Sequence, residues 1–162
     1  MKLTIEISIP SSLWRGLPRA RTIARKTMAA CIDEVEISPR EGASVSLCLS
    51  DDARVRELNA RWRGLDKLTN VLAFPAARAG GLGEAPVLGD IALAYETVAR
   101  EAETSGVPLA DHYCHLVAHG FLHLMGYDHQ TDDEAGRMEA IETRILARLG
   151  VADPYADGVV EE

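Results

Sequence analysis

The stretch from His119 to His129 constrains the fold more than any other, because it holds three of the chain's five histidines. His119 and His123 are four residues apart, a spacing that places two side chains on one face of a helix, one turn apart. Gly126 can adopt a left-handed backbone conformation and end that helix, and the resulting turn would bring His129 back toward the pair. Three neutral imidazoles at one point, with room for water, describe a catalytic zinc site.

The two remaining histidines precede this stretch. His115 lies one turn before His119, so that His115, His119 and His123 form an alternative ligand set. Its outer members would be about 12 Å apart along the helix axis, whereas zinc–nitrogen bonds are about 2 Å long. We therefore expect His115 to support the ligands or to pack in the core, and His112 to lie at the surface. Asp128 either orients an imidazole through its free N–H or faces solvent.

The same histidine spacing occurs in the metzincin proteases. In those enzymes a glutamate directly follows the first histidine and serves as the general base for water. Position 120 of this chain is glycine, which has no side chain. The sequence therefore disfavours proteolysis and any mechanism that needs a carboxylate at this position.

The charge of the chain is unevenly distributed. The net charge is −8 over 162 residues, but residues 1–80 carry 13 Lys and Arg against 9 Asp and Glu, whereas residues 81–162 carry 4 against 16. A basic N-terminal half can present a phosphate-binding face, although scattered solvated charges explain the same numbers. The best candidate for backbone contact with RNA is a basic stripe on the first predicted helix, formed by Arg19, Arg21, Arg25 and Lys26.

Other sequence features indicate a cytoplasmic protein without a membrane span. No run of about 18 uncharged apolar residues occurs, and the N-terminus lacks the unbroken apolar block of a signal peptide. The three cysteines form no CxxC pair. Buried, reduced thiols are the simplest interpretation.

The pattern of apolar residues predicts one α+β domain over residues 1–150, followed by an acidic, flexible tail over residues 151–162. Its four strands form one mixed sheet that packs with about five helices, of which the fourth is a zincin-like metal-site helix. The predicted strands cover residues 2–9, 44–49, 71–74 and 88–94, and the predicted helices cover 18–35, 51–62, 95–105, 109–125 and 132–149.

Two of these helices carry specific local expectations. Ser50 is expected to cap the N-terminus of the second helix, and Trp62 is expected to be buried at its other end. Thr131 and Glu134 have the spacing of a capping box for the last helix. That last helix, over residues 132–149, is expected to contribute core packing alone.

The motif HGFLHLMGYDH at residues 119–129 resembles the signature of the YbeY family, which comprises bacterial single-domain, metal-dependent endoribonucleases of ribosomal RNA maturation. The similarity extends to Leu58–Arg63, to the run TNVLAFP at residues 69–75 and to LGDI at residues 88–91. Together these segments cover residues from about 45 to 130 and match the family in order.

The resemblance implies one zinc ion per chain at His119, His123 and His129, with His119 and Arg63 as catalytic residues. It implies a single-strand-specific endoribonuclease of late ribosome maturation, including processing of the 3′ end of 16S rRNA. Its partners would be ribosomal RNA precursors, the small ribosomal subunit and ribosome-associated proteins. The planar arginine fork suits phosphate oxygens, and zinc polarises such an oxygen or activates water. The attacking nucleophile, a 2′-hydroxyl or that water, stays open.

The chain departs from the family pattern at Asn70, where aspartate is usual, and at Ala73, where serine is usual. A carboxylate at position 70 is therefore not essential here. We expect Asp90 to play a structural part, with a place on the cavity wall as the alternative. Two other functions remain open: a metal hydrolase with a non-RNA substrate, and a ribosome-biogenesis binding factor whose metal is structural.

Overall fold

The computed structural model of the protein describes residues 2–77 and 81–156. Within these ranges it contains four strands, five α-helices and one short 3-10 helix at Ser12–Gly16. The strands are β1 (Thr4–Ser8), β2 (Ser44–Ser50), β3 (Val71–Pro75) and β4 (Val87–Ala94), and the helices are α1 (Ala20–Glu34), α2 (Asp52–Arg63), α3 (Tyr95–Ser105), α4 (Leu109–Leu124) and α5 (Asp132–Arg148).

The four strands form one mixed sheet in the order β1-β2-β4-β3. β1 pairs in parallel with β2, and β2 pairs in parallel with β4. β3 is antiparallel to β4 and forms one edge. Alternation along β2 buries Val45, Leu47 and Leu49 on one face, as expected for a strand whose side chains point alternately to the two sides. The predicted single α+β domain with a four-stranded mixed sheet is confirmed.

α4 lies at the centre of the domain, and eleven of its sixteen residues are buried. On one side it touches the sheet so closely that a Cβ at position 120 would lie 3.0 Å from Cγ2 of Ile91. On another side the hydroxyl of Thr27 in α1 lies 3.1 Å from the thiol of Cys114. Because α4 is packed on several sides, the histidines at its C-terminal end project from a rigid support.

Two expectations for α2 are wrong. Its N-cap is Asp51, whose side chain accepts a hydrogen bond from the backbone N–H of Arg54, whereas Ser50 is the last residue of β2. A carboxylate at this position also interacts favourably with the helix dipole. Trp62 is 65% exposed. The small core beneath α2 contains Val55 with partly buried Leu58, and Trp62 is not part of it.

The first residues of the predicted flexible tail fold back onto the domain. The backbone N–H of Val151 donates to the carbonyl of Leu146, and the ring of Tyr155 packs edge-on against His115 with centroids 5.7 Å apart. The rest of that predicted tail, residues 157–162, lies outside the described residues. Across the described part of the chain, none of the helices has the length and apolar character needed to cross a membrane.

Candidate metal centre

Three predicted ligands meet at the C-terminal end of α4. One ring nitrogen from each of His119, His123 and His129 lies within 4.8 Å of the other two. The Nε2 atoms of His119 and His123 are 3.1 Å apart. The ring of His129 stacks on that of His119 with a centroid separation of 5.6 Å. The arrangement offers three nitrogens, which is the number of protein ligands in a typical catalytic zinc site.

Gly126 produces the turn that returns His129 to α4. Its φ is +93°, in the left-handed region that favours glycine. The backbone N–H of Gly126 donates to the carbonyl of His123, and that of Tyr127 donates to the carbonyl of Leu122, so the helix ends in hydrogen bonds. Asp128 then accepts the backbone N–H of His129 at 2.8 Å. Asp128 therefore fixes the backbone of the turn. This contact differs from both expectations for its side chain, which were that it orients an imidazole or faces solvent.

Glu142 in α5 is a site residue that the sequence interpretation missed. Its side chain is fully buried and accepts hydrogen bonds from His115 Nε2 at 2.9 Å and from His119 Nδ1 at 2.6 Å. The hydroxyl of Tyr155 donates to the same carboxylate. Because His119 donates through Nδ1, its Nε2 presents a lone pair toward the other two histidines. The prediction that α5 contributes core packing alone is wrong.

Burial and hydrogen bonding have opposite effects on the pKa of Glu142. Burial raises it, but the hydrogen bonds from His115 and His119 outweigh burial and lower the pKa from 4.5 to about 2. Glu142 is therefore an anion at neutral pH. Burial, together with the neighbouring His119 and His129, lowers the pKa of His123 to about 4. The His123 imidazole is therefore neutral at pH 7, as a metal ligand must be.

A second, partly buried carboxylate lies on the other side of α4. His112, which was expected at the surface, is only 5% exposed, and its Nε2 lies 2.8 Å from Glu101 in α3. The side-chain amide of Asn70 donates to the same carboxylate oxygen at 2.9 Å. Burial raises the pKa of Glu101, but the hydrogen bonds from His112 and Asn70 lower it overall. The surface prediction failed because α3 packs beside α4 and covers this histidine.

The histidines open into a cavity of about 630 Å³ that Arg63 also lines. The guanidinium of Arg63 donates to the carbonyl of Ala73 at 3.0 Å and lies 5.7 Å from the ring centroid of Phe74. The carbonyl of Ala73 accepts a hydrogen bond from one of the five N–H groups that an arginine carries. Asn70 lines the same cavity, whereas Asp90 is exposed in β4 and is not among the lining residues.

The position that holds glutamate in the metzincins leaves little room for a side chain in this structure. A Cβ at Gly120 would meet Val71 at 3.4 Å and Ile91 at 3.0 Å, so the missing side chain allows α4 to approach the sheet. Among the described residues that line the cavity, the one carboxylate is Asp128, which is engaged by the backbone of His129. The cavity thus offers nitrogen ligands and an arginine, without a free glutamate base.

Comparison with known proteins gives a consistent result. The family model described as "Endoribonuclease YbeY" matches residues 16–150. Among similar curated proteins, Endoribonuclease YbeY of Bradyrhizobium diazoefficiens is 49% identical over 156 residues, which cover 94% of this chain and 85% of the relative. The protein of the same name from Rhizobium meliloti is 47% identical over 161 residues, covering 96% of each chain.

A solved structure supports the fold independently. The solution structure of a Thermotoga maritima protein aligns with a TM-score of 0.57, covering 93% of this chain and 98% of the other. At 21% sequence identity this likeness concerns the fold alone.

Proposed function

We propose that this chain, which belongs to the Endoribonuclease YbeY family, is a zinc-dependent endoribonuclease that cleaves single-stranded RNA. Its substrates would be ribosomal RNA precursors, including the 3′ end of 16S rRNA, during late ribosome maturation in the cytoplasm. It would act there in association with the small ribosomal subunit and ribosome-associated proteins.

One observation carries the proposal: three convergent histidine nitrogens and an arginine line the same cavity. His119, His123 and His129 would hold one zinc ion, because three neutral imidazoles suit this metal. The buried carboxylate of Glu142 fixes the tautomer of His119 in which Nε2 is available. When bound, zinc would polarise a phosphate oxygen as a Lewis acid.

The residues of the chain would bind and orient the RNA around that centre. Arg63 would hold a phosphate through its remaining N–H groups, and its fixed charge would stabilise negative charge that develops in the transition state. RNA carries its own nucleophile, the 2′-hydroxyl, so the absence of a glutamate at Gly120 does not disable its cleavage. A peptide has no such group, which favours RNA over peptide as the substrate.

The proposal is tested by cleavage of a single-stranded fragment of a ribosomal RNA precursor. We expect the zinc-loaded protein to cut it, and His119→Ala and Arg63→Ala to lose nearly all of the rate. The matched control is Arg54→Ala, which removes an exposed arginine of the same helix whose partner is Glu57. Variants at His119 and Arg63 that cut as fast as the wild type would refute the catalytic role and favour a binding factor whose metal is structural.

A zinc titration of His119→Ala separates metal binding from cleavage. About one equivalent of zinc is expected for the wild type and none for the variant. Hydrolysis of casein that a chelator abolishes would instead indicate a metal hydrolase with a peptide substrate.

A further inference from the structure

We propose that Trp62 is a binding residue for single-stranded RNA, and that its exposed indole stacks on an unpaired base beside the cavity. The inference rests on the proposed RNA substrate and specifies how that substrate is held. The surface concerned is the Trp62 segment, which we define as residues 61–68 at the end of α2 and in the loop that follows it.

The exposure of Trp62 is the first observation. With 65% of its surface accessible, it is the most exposed large apolar side chain of the described residues, whereas the chain's other tryptophan, Trp14, is 3% exposed and lies in the core. Leu65 and Leu68 in the same segment are also exposed. Exposed apolar side chains that are grouped, unlike single scattered ones, commonly mark a binding site.

The charges around Trp62 are the second observation. The guanidinium of Arg61 lies 5.6 Å from the centroid of the Trp62 ring. Earlier in α2, Arg54 and Arg56 pair with carboxylates. Within the described ranges, no carboxylate lies within ion-pairing distance of the cations of the Trp62 segment, which are Arg61, Arg63 and Lys67. Unpaired cations beside an exposed aromatic ring form the usual surface for a single nucleic-acid strand.

The position of the segment is the third observation. Arg63, Leu65 and Lys67 line the cavity that holds the three histidines. Trp62 does not itself line the cavity, but it precedes Arg63 directly, with its Cα about 3.8 Å from that of Arg63. A strand whose phosphate meets Arg63 can therefore place a neighbouring base over the indole. In a duplex the bases already stack on each other, so this contact favours unpaired RNA.

The charge of the segment also favours RNA over a protein partner. Over residues 61–68 the chain carries three Lys and Arg against one Asp, although its overall net charge is −8. A polyanion is thus attracted to this part of an otherwise acidic molecule. Base stacking needs a flat aromatic face, so an aliphatic side chain of similar size does not replace it.

The test compares binding of a short oligouridine by Trp62→Ala, Trp62→Leu and Trp62→Phe, all in the His119→Ala background so that the RNA is not cut. We expect Trp62→Ala and Trp62→Leu to bind about tenfold or more weakly, and Trp62→Phe to stay within a few-fold of the parent. The control Leu13→Ala removes an exposed apolar side chain outside the cavity and should bind as the parent does. A duplex of the same length should bind equally to all variants.

Tryptophan fluorescence supplies a second readout. Oligouridine should quench the parent, whereas Trp62→Phe, which retains the buried Trp14 alone, should show no quenching. Unchanged oligouridine affinity in Trp62→Ala would overturn the proposal. So would a Trp62→Leu variant that binds as well as Trp62→Phe, since that result indicates an apolar docking surface for a protein.

These outcomes are separable from the cleavage test. A wild type that cuts RNA while Trp62→Ala binds normally refutes the stacking site and leaves the enzyme assignment intact. A wild type that does not cut RNA but loses affinity with Trp62→Ala refutes the enzyme assignment and leaves the stacking site.

Discussion

Replacing Glu142 by glutamine tests whether α5 supports the candidate metal centre, because it keeps the shape of the side chain and changes one hydrogen-bonding atom. The carboxylate accepts a hydrogen bond on each oxygen, from His115 and from His119. Glutamine replaces one oxygen by an amide nitrogen, which donates. If that nitrogen faces His119, Nδ1 must become an acceptor, and the proton moves to Nε2, where it blocks the lone pair that faces His123.

The size of the effect follows from the pKa of Glu142. A fall from 4.5 to about 2 means that the folded protein favours the anion over the protonated acid by about 3 kcal/mol more than the unfolded chain does. The neutral amide of glutamine lacks most of the stabilisation that the anion gains from the two histidines. Removing a partner that orients a metal-binding histidine commonly weakens metal binding by about 10- to 100-fold. We therefore expect Glu142→Gln to bind zinc weakly and to be less stable than the wild type.

The assay is a competition titration of zinc against a chromophoric chelator, with a melting curve of the metal-free protein. The control Glu139→Gln makes the same chemical change one turn earlier on α5, where the side chain is partly exposed. Because folding lowers the pKa of Glu142, its stabilisation is present above about pH 4.5 and is lost as the pH falls toward 2. The difference in melting temperature between Glu142→Gln and the wild type should therefore shrink in acid. Equal zinc affinity in the two glutamine variants would refute the reasoning.

Further predictions concern the contacts around this centre. Tyr155→Phe should lose about 1 kcal/mol of stability, because it removes one donor to the buried carboxylate, and a zinc titration should show a smaller loss than for the glutamine variant. Asn70→Asp places a second carboxylate against Glu101, and their repulsion should raise the pKa of the pair. Melting curves should therefore show a variant that is less stable than the wild type at pH 7, by an amount that diminishes as the pH falls. Gly120→Ala should lower stability in urea by about 1–3 kcal/mol, since its Cβ would press on the buried Ile91; a more stable variant would show that the sheet yields. Oligouridine affinity should fall with salt with a log–log slope of about −2, as three unpaired cations imply for a single strand, whereas a steeper slope would implicate the basic stripe of α1.

The sequence predicts the secondary structure well, because each element is marked by its own residues. Every predicted helix and strand is within two residues of its observed bounds. The capping box of α5, in which the side chain of Thr131 accepts from the N–H of Glu134, was predicted from spacing and is confirmed. The spacing also placed His119, His123 and His129 together, since a helix followed by a glycine turn leaves little choice. That they bind zinc stays a prediction.

Contacts between distant segments were not predictable in the same way. Glu142 is 27 residues from His115, and no local pattern encodes the packing of α5 beside α4. A signal was present, since Glu142 lies four residues after buried Met138 and so on the apolar face of its helix. A charged residue there requires a buried partner. The exposure of Trp62 gave no such signal, because Trp62 follows Leu58 by four residues, the spacing of a buried face, whereas the small core beneath α2 includes Val55 and Leu58 and not Trp62.

The negative net charge of the molecule suggests that it repels an anionic substrate, but this suggestion is misleading. Glu101 and Glu142, two of its many carboxylates, lie on either side of α4, where each is engaged by histidine side chains. Neither of them is among the residues that line the cavity. The cations of the Trp62 segment have no ion-pair partner within the described ranges; Arg63 and Lys67 line the cavity, and Arg61 lies against the Trp62 ring. Since exposed charges more than about 8 Å apart are largely screened at physiological salt, local cations outweigh a distant acidic surface. An acidic protein can therefore present a basic entrance to RNA.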